Sequence, residues 1–453
     1  MSSDIVVLGG GFAGLSCAAA LAEAGRRVTL IEKKPHLGGR AYSFLDPQSG
    51  QTVDNGQHLF LGCYRQTRKF LARIGTESLL KFQKKIRVDF ADAQGRRDVL
   101  SCPAGLGSPW HLAWGVLRLK GLSLSDKWGL IRLERYMRKM NGEGVAAALD
   151  ALTVRQWLGR LGQSQRIQER LFDPIAVGAL NDDPAVAAAT GLAQVLREVF
   201  FRDVESARLG LSTVGLSDLY TGAARSFIEA RGGRVLLARK ISGLIEEEGR
   251  VIGVAAQSGE KFPAAAVVST LAPWDLARLD LPRALRGAWR DLKPAPIISV
   301  CFWLDRPVLG AQPLVGMLGT EIQWVFNKSL IFSQNARPMI STAARQYLSL
   351  VISGAHRHVS LDPQAIKARA ESDMARCFPE FPKASILRWK VIKEPFATLS
   401  PVPGSDALRP RHESGVPGFY FAGDWTQTGL PATIESAVVS GHRAADIILR
   451  SLE

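Results

Sequence analysis

The hydrophobic pattern at the start of the chain predicts a strand, a turn and a helix. Four consecutive apolar residues at 5–8 are typical of a buried strand, and after three glycines an alanine-rich helix is predicted over 12–24. A second strand is predicted at 27–32, where β-branched residues cluster. Positions 5–22 hold 18 uncharged residues, the length of a membrane span, but the glycine turn inside them favours a βαβ unit. Such a unit implies a parallel sheet.

The same kind of pattern returns twice, near 232–269 and again at 418–449. The stretch 100–229 is predicted to be mainly helical, whereas 295–390 mixes strands with a helix. We therefore predict the α/β class, with a Rossmann-type dinucleotide-binding domain and an inserted α+β substrate domain. The sequence assigns residues 1–85, 230–294 and 391–453 to the first domain, and 86–229 and 295–390 to the second.

Composition supports a folded, basic, multi-domain protein. The 453 residues exceed what one hydrophobic core usually holds, and 46% apolar with 22% charged residues argues against disorder. Lys and Arg number 57 against 42 Asp and Glu, so the formal charge of +15 favours an anionic partner. Charge alone does not choose between nucleic acid and a phospholipid surface.

Cysteine usage predicts neither disulfides nor a metal site. The five cysteines are scattered, without the spacing of zinc ligands, and no secretory signal pattern is recognisable. A reducing, cytoplasmic location is the expectation.

The first turn carries a dinucleotide motif, Gly9-x-Gly11-x-x-Gly14. Its glycines permit a tight turn, a close approach of backbone to a pyrophosphate, and close helix–strand packing. Glu32 ends the next strand, where a carboxylate binds ribose hydroxyls and disfavours the 2′-phosphate of NADP. These residues predict a dinucleotide but do not choose between FAD and NAD.

Two further strings indicate FAD. IEKKPHLGGRAYS contains Gly39 and Arg40, and the C-terminal GFYFAGDWTQTGLPATIESAVV contains Gly423 and Asp424 before a predicted helix. Both resemble motifs of the amine oxidase and phytoene desaturase flavoprotein superfamily. The resemblance implies FAD as cofactor and implies these cofactor-binding residues: Gly9, Gly11, Phe12, Ala13, Gly14, Glu32, Lys33, Gly39, Arg40, Gly56, Gln57, His58, Ile241, Gly423, Asp424, Leu430, Pro431, Ala432, Thr433 and Ile434.

Several strings resemble one branch of that superfamily. VDNGQHLFLGCYR, PIAVGALNDDP and QWVFN are similar to the squalene-associated FAD-dependent desaturases, whose assigned activity is hydroxysqualene dehydroxylation. The resemblance implies reduction of hydroxysqualene to squalene for hopanoid synthesis in bacteria. The alternatives are a carotenoid-type desaturase or isomerase of the same fold, and a non-catalytic FAD-binding partner at a membrane. Amine oxidation is disfavoured, because Ser299 and Thr433 replace the lysine and the aromatic residue that amine oxidases use.

Three residues are catalytic candidates. His58 is the first choice as a proton donor, Asp54 as the residue that orients its loop, and Asn181 as a hydrogen-bond partner of the substrate hydroxyl. Each has a structural alternative: His58 binding backbone or FAD, Asp54 capping a turn, and Asn181 forming an Asx turn. Asp173 precedes a proline and is predicted to cap a helix.

The segment 109–140 is predicted to be the lipid entrance. Trp110, Trp114 and Leu117 share a helix face, and Ser125 is predicted to cap a second helix with Trp128, Ile131, Tyr136 and Met140. Seven Lys or Arg residues at 118–139 face only Asp126 and Glu134. Tryptophan beside basic residues suits an anionic headgroup boundary, so peripheral association with the inner face of a bacterial membrane is expected. The alternative is an ordinary amphipathic helix packed on the core.

The remaining partner hypotheses depend on the same branch. The isoprenoid substrate hydroxysqualene is the expected ligand, and no nucleic-acid motif is recognisable. Electrons are expected from reduced flavin or an NAD(P)H-linked donor, although no separate NAD(P)H motif appears. Contact with other squalene-pathway enzymes is a further hypothesis.

Overall fold

A five-stranded parallel sheet brings together both ends and the middle of the chain. The computed structural model describes residues 5–103, 105–107, 110–139, 148–200, 202–332 and 344–452. The strands lie in the order Arg234–Leu236, Val28–Ile31, Ile5–Leu8, Ala266–Ser269 and Phe419–Phe421, and every neighbouring pair is parallel. Their near-continuous apolar side chains are buried on both faces, as parallel strands require. This sheet confirms the predicted Rossmann-type α/β class.

Three helices cover one face of this sheet. The alanine-rich helix Phe12–Glu23 packs closely against Ile434–Ser451 and against Leu216–Glu229, because its small side chains let the helices approach. The predicted boundaries placed 216–229 in the second domain. The structure corrects this assignment, since Leu219, Tyr220 and Ile228 are fully buried in the core of the first sheet.

A seven-stranded sheet forms the second layer. Its order is Ile386–Leu399, Pro294–Leu304, Gln346–Ser353, Trp324–Asn327, Leu314–Leu318, Arg87–Asp92 and Arg97–Ser101. The apolar strand Pro294–Leu304 lies between two antiparallel neighbours, and helix Pro363–Cys377 covers one face. The predicted boundary at 390 falls inside strand Ile386–Leu399, so residues 391–399 belong to this sheet.

Smaller elements link the two sheets. Three strands form an antiparallel meander, Ile241–Glu247, Arg250–Ala256 and Lys261–Pro263. Two further small sheets are formed by Ser43–Leu45 with Thr52–Asp54, and by Phe60–Leu61, Leu209–Ser212 and Leu80–Phe82. Helix Arg65–Arg73 packs on the C-terminal helix, and short helices lie at Pro273–Leu276 and Lys328–Ile331.

A helical region covers the remaining side of the seven-stranded sheet. Its helices are Trp110–Leu117, Leu124–Lys139, Val154–Arg160, Gln165–Ile167, Asp173–Leu180 and Ala189–Phe200, with a π-helical turn at Gln168–Phe172. The helix predicted to be capped by Ser125 begins two residues earlier, at Leu124. Ser123 caps it instead, because the Ser123 hydroxyl accepts the Asp126 N–H at 3.2 Å and Asp126 bonds back to the Ser123 N–H at 2.8 Å.

Candidate functional site

An open cleft lies at the carboxyl ends of the parallel strands, where ligands bind in sheets of this kind. It encloses about 1410 Å³ of space, and strand Ile386–Leu399 of the second sheet forms its opposite wall. Its lining includes most of the predicted cofactor residues: Gly9, Gly11, Phe12, Ala13, Glu32, Lys33, Gly39, Arg40, His58, Gly423, Asp424, Ala432, Thr433 and Ile434. The two ends of the chain therefore meet in one site.

The glycines of the first turn are required by contact distances. A Cβ at Gly14 would lie 1.9 Å from the Gly9 carbonyl oxygen, and Gly9 itself has a φ of +104°. A Cβ at Gly39 would lie 3.1 Å from the Gly11 Cα, so the two glycine turns touch backbone to backbone. These glycines therefore place no side chain over the peptide N–H groups at the start of helix Phe12–Glu23, and these groups favour binding of a negatively charged pyrophosphate.

Glu32 is held rigidly at the cleft. Its carboxylate is 5% exposed and accepts the Gly10 N–H at 2.7 Å and the Lys34 N–H at 2.8 Å. One oxygen is fixed by each N–H, and each carboxylate oxygen keeps a second acceptor site for a ribose hydroxyl. The neighbouring Lys33 pairs with Asp275 on the rim of the cleft at 2.8 Å.

Arg40 and Asp424, which are 384 residues apart, form an ion pair inside the cleft. Arg40 also donates to the Ala397 carbonyl at 3.1 Å, which ties the second glycine turn, the one that contains Gly39, to the second sheet. Arg409, which the sequence analysis did not identify, supports the other partner: its guanidinium donates to the carbonyls of Leu430 at 2.8 Å and Asp424 at 3.0 Å. This 5% exposed arginine holds the C-terminal loop in place.

The C-terminal helix begins at the cleft. Thr433 caps helix Ile434–Ser451 by accepting the Ser436 N–H at 3.2 Å, and Ala432, Thr433 and Ile434 line the cleft. Free N–H groups in the first turn of an 18-residue helix stabilise negative charge placed there. Glu435, in the same turn, points away and accepts the N–H groups of Gln66 and Thr67 at 2.9 and 2.8 Å.

Other predicted cofactor residues lie behind the lining. Gly14 packs beneath the turn, and Leu430 and Pro431 lie in the supported loop. Gly56 and Gln57 precede His58 and do not line the cleft. The Gly56 carbonyl contacts the His58 ring, and the Gln57 side chain donates to the His58 carbonyl. Ile241 is 8% exposed and packs in the core of the meander, so the structure gives no side-chain contact between Ile241 and the cleft.

His58 is the catalytic candidate that reaches the cleft. Its Nδ1 lies 2.9 Å from the Gly56 carbonyl, and since a carbonyl only accepts, Nδ1 carries a proton. In the described part of the chain, Nε2 has no hydrogen-bond partner. Burial lowers the pKa of His58; the Asp54 charge and the Gly56 bond oppose this shift, while the Lys328 and Arg40 charges add to it. His58 is thus neutral at pH 7, with a lone pair on Nε2.

A buried lysine supports this loop and was not predicted. Lys328 is 1% exposed, and its Nζ donates to Asp54 Oδ2 and to Gln57 Oε1, both at 2.7 Å. Its Nζ also lies 3.8 Å from the Phe332 ring centroid. Asp54 accepts the Leu216 N–H at 3.0 Å with its other oxygen, so both of its carboxylate oxygens are bound within the protein.

Asn181 has a structural role rather than the predicted hydroxyl-binding role. It ends helix Asp173–Leu180 with a φ of +54°. Its Nδ2 donates to Thr398 Oγ1 at 2.8 Å and lies 3.3 Å from the Ala295 carbonyl, while its Oδ1 accepts the Gly354 N–H at 2.9 Å. The protein therefore engages both the N–H side and the oxygen of this buried amide, and Thr398, not Asn181, lines the cleft.

Two other sequence candidates have simple structural settings. Asp173 lies in the first turn of its helix and pairs with Arg155 at 3.0 Å, and burial raises the pKa of its carboxyl. Ser299 is 1% exposed in strand Pro294–Leu304 of the second sheet, and its hydroxyl finds no partner among the described residues.

A second cavity lies between the helices predicted to form the lipid entrance. It encloses about 1690 Å³, and its walls are mainly apolar: Leu100, Trp110, Leu112, Ala113, Val116, Leu117, Leu130, Ile131, Leu133, Leu171, Phe172, Ile175 and Leu196. Trp110 is 68% exposed and Trp128 is 70% exposed. Within the described chain, the two cavities share no lining residue; helix Asp173–Leu180 runs from the apolar one, which Ile175 lines, to Asn181, which contacts the cleft residue Thr398.

One member of the predicted lipid entrance, Tyr136, differs from the expectation. Tyr136 packs inward against the buried Trp157, with ring centroids 6.1 Å apart. Met140 and Pro109 lie outside the described residues.

In the described chain, no helix has both the length and the apolar character to cross a bilayer. Among the same residues, no group of three or more His, Cys, Asp or Glu side chains is arranged to hold a metal ion.

The residues of the cleft fit FAD. The bare glycine backbone suits a pyrophosphate, Glu32 a ribose, and the start of the C-terminal helix the electron-rich end of a reduced flavin ring. A dinucleotide cleft with a histidine and a neighbouring apolar cavity defines the class as a flavoprotein oxidoreductase.

Comparison with known proteins identifies the family. Residues 12–449 match the model of the flavin containing amine oxidoreductases, and the chain belongs to that family. It is 30% identical to the hydroxysqualene dehydroxylase of Rhodopseudomonas palustris and 28% identical to that of Sinorhizobium fredii, over 99% of this chain and 99% of each relative. The family predicted from the sequence is thereby confirmed, as is FAD as the cofactor of an FAD-dependent oxidoreductase.

More distant relatives share the fold. The chain is 25% identical to the 15-cis-phytoene desaturase of Narcissus pseudonarcissus, over 99% of this chain and 80% of that protein. The solved structure of cyclohexylamine oxidase from Brevibacterium oxydans superposes with a TM-score of 0.73 at 19% identity, covering 100% of both chains. The second likeness shows the fold alone.

Proposed function

We propose that the protein reduces hydroxysqualene to squalene. The observation that carries the proposal is the full-length similarity to two hydroxysqualene dehydroxylases, at 28 and 30% identity. The geometry supports it, because a C30 isoprenoid needs an apolar site, and helix Asp173–Leu180 runs from an apolar cavity towards the cofactor cleft. A desaturase of the same fold is the second candidate, favoured by the 25% identity to a phytoene desaturase.

The reaction needs one proton, one hydride and exclusion of water. Hydroxysqualene is an allylic secondary alcohol, so protonation of its oxygen lets water leave and an allylic cation form. Addition of a hydride to that carbon gives squalene, and the alcohol is thereby reduced by two electrons. Reduced FAD, when bound, supplies the hydride and is itself oxidised. The protein must hold the reacting carbon at the cleft, deliver the proton and keep other water away from the cation.

His58 is the proposed proton donor. Because Nδ1 is committed to the Gly56 carbonyl, a transferable proton must be on Nε2, which requires the doubly protonated ring. The lowered pKa keeps this form scarce at pH 7 and makes it a strong acid once formed. We expect the rate of dehydroxylation to rise as the pH falls below 7 and to level off below the pKa of His58.

Peripheral association with an anionic membrane is part of the proposal. Six of the largest exposed apolar side chains lie on two adjacent helices: Trp110, Trp114, Leu117, Leu124, Trp128 and Ile131. Basic residues alternate with them, including Arg118, Lys120 and Arg132. Exposed apolar patches of this size mark an interaction surface, and Trp with Lys and Arg suits the headgroup region. The inner face of a bacterial membrane is the proposed location.

An anaerobic single turnover tests the activity without a physiological electron donor. The flavoprotein is reduced with dithionite, freed of excess reductant, and mixed with hydroxysqualene in phospholipid vesicles. We expect one squalene per flavin by mass spectrometry, together with return of the absorbance of oxidised FAD. A flavin that stays reduced, with no squalene, would contradict the proposal. If the oxidised protein then desaturates phytoene, the second candidate is correct.

A variant pair tests the proton donor. His58→Ala is expected to lower the single-turnover rate at least 100-fold with FAD still bound, a loss typical of removing a general acid. The control, His356→Ala, removes a half-exposed histidine outside the cleft and is expected to leave the rate within twofold. Near-full activity of His58→Ala would remove His58 as the donor.

A further inference from the structure

Four cationic side chains share one cavity beside the apolar helices. Lys85, Arg97, Arg118 and Lys120 line a space of about 860 Å³ at the edge of the seven-stranded sheet. Among the described residues of its lining, Asp98 is the only acidic one. We name this cavity, defined by these five residues, the basic notch.

The positive charge of the basic notch is only partly compensated, by Asp98 in its lining and by the Asp89 charge that acts on Arg97. Asp98 Oδ1 accepts the Val99 N–H at 2.9 Å, and Oδ2 accepts the Gly121 N–H at 2.9 Å, so its carboxylate holds the turn that follows the first entrance helix. In the described residues, none of the four cations has a carboxylate within ion-pair distance. By contrast, the nearby Arg96 and Arg170 both pair with Asp92.

Two arginines of the basic notch are oriented by aromatic rings. The Arg97 guanidinium lies 4.4 Å from the Phe378 ring centroid, and that of Arg118 lies 5.5 Å from the Trp114 ring centroid. Contact with a ring face restrains the guanidinium plane while its N–H edge stays available. Planar guanidinium edges bind phosphate oxygens with two parallel hydrogen bonds.

The basic notch and the apolar cavity are lined by the same helix, Trp110–Leu117. Trp114 lines the notch, and the same helix contributes Trp110, Val116 and Leu117 to the apolar cavity. Arg118 follows Leu117 directly in the chain. A ligand that carries a phosphate joined to hydrocarbon chains matches both surfaces at once, whereas free phosphate matches only the notch.

We propose that the basic notch binds the phosphate of an anionic phospholipid, with the acyl chains against the exposed face of the entrance helices. The inference rests on the membrane association proposed above and adds a defined headgroup site to it. Bound in this way, one lipid fixes the entrance helices at the depth where a bilayer-dissolved substrate reaches the apolar cavity.

Vesicle binding by charge-matched variants tests the site. Arg97→Gln/Arg118→Gln removes two notch cations, and the control Arg234→Gln/Arg283→Gln removes two exposed arginines from the other sheet domain. With vesicles of phosphatidylcholine containing phosphatidylglycerol, we expect the notch variant to bind at least tenfold more weakly and the control within twofold of wild type. Equal weakening of both variants would contradict the basic notch as a lipid site, because it would show that vesicle binding depends only on the overall charge of the protein.

Two further measurements separate the possible outcomes. Millimolar glycerol phosphate is expected not to displace the protein from vesicles; if it does so completely, the notch binds soluble phosphate and the lipid assignment is wrong. Turnover of detergent-dispersed hydroxysqualene is expected to be unchanged in the notch variant. If the wild-type protein does not turn over hydroxysqualene in detergent, the dehydroxylase proposal is wrong. The difference in vesicle binding between the two variants still tests lipid binding at the basic notch.

Discussion

The cofactor cleft and the entrance helices satisfy opposite physical requirements. In the cleft, Glu32, Asp424 and Arg409 are each 5% exposed, and each forms hydrogen bonds within the protein. On the entrance helices, Trp110 and Trp128 are 68 and 70% exposed. The cleft is built from fixed backbone and paired charges around a polar cofactor, whereas the helices leave apolar surface that only an apolar environment can cover. The two regions are therefore expected to respond independently to mutation.

The largest expected effect is in the cleft. Gly14→Val places a Cβ 1.9 Å from the Gly9 carbonyl oxygen, which the turn cannot accommodate without moving. We expect purified protein without FAD, or no soluble protein, as judged by the ratio of flavin to protein absorbance. The matched control is Gly222→Ala, since nothing lies within 4 Å of a Cβ at that helical position. An FAD-replete Gly14→Val protein would contradict the role given to this glycine.

Much of the cleft was predictable, because its geometry is dictated locally. Gly9 and Gly14 belong to one turn, where only glycine permits the tight backbone and close packing. Glu32 ends the next strand, where a carboxylate is required to bind ribose hydroxyls. Placing Arg40 and Asp424 in one site required the resemblance to known flavoproteins, since the two residues are 384 positions apart, and their ion pair was not predicted.

The supporting residues were not predictable from local pattern. Lys328 and Arg409 belong to residue types that are normally exposed, and their burial depends on partners such as Asp54, 274 residues away. Asn181 was interpreted by its residue type, but tertiary contacts with Thr398 and Gly354 determine its role. The entrance helices were recognised by their periodicity, although the cap was misplaced from Ser123 to Ser125.

The second prediction concerns the entrance helices. Trp110→Ser/Trp128→Ser removes two exposed indoles, each of which buries on the order of 150 Å² when covered. We expect at least tenfold weaker binding to phospholipid vesicles with no change in FAD content or in thermal unfolding. Leu45→Ser/Leu387→Ser is the control, since these leucines are 53 and 47% exposed on another surface. Unchanged vesicle binding by the tryptophan variant would show that this face does not meet the membrane.

The third prediction links the buried lysine to His58. Lys328→Met removes a positive charge and frees the Asp54 charge, and both changes raise the pKa of His58. The acidic limb of the single-turnover profile is therefore expected to extend to higher pH. Asp54→Asn is expected to lower the pKa of His58, because it removes the negative charge that favours protonation of the ring.

Direct measurement distinguishes this effect from loss of fold. The pKa of His58 can be followed by NMR of the imidazole in each variant, apart from activity. Leaving one buried charge unpaired costs about 3–5 kcal/mol, so the double variant Asp54→Asn/Lys328→Met is the neutral control with no unpaired charge. If both single variants move the pKa of His58 in the same direction, the electrostatic link is wrong.

The smallest expected effect is a difference in pH dependence between the two regions. In the cofactor domain, His442 accepts from Arg73 at 3.1 Å and donates to Gln66 at 2.9 Å, and burial, with the Arg73 charge, lowers its pKa to about 4. Because this value lies below the unfolded value of about 6.5, His442 stabilises the fold above pH 6.5, and this stabilisation is lost as the pH falls towards 4.

This loss amounts to at most about 3 kcal/mol of the free energy of unfolding. Because His442→Gln lacks the titrating ring, its free energy of unfolding is expected to fall less between pH 7 and 4 than that of wild type, by up to this amount. Denaturant unfolding at several pH values measures this difference, and His356→Gln, at a half-exposed position, is the control. Vesicle binding through the tryptophans carries no such titration, so His442→Gln is expected to leave its pH dependence unchanged. Parallel stability curves for wild type and His442→Gln would show that the Arg73 contact does not hold this histidine neutral.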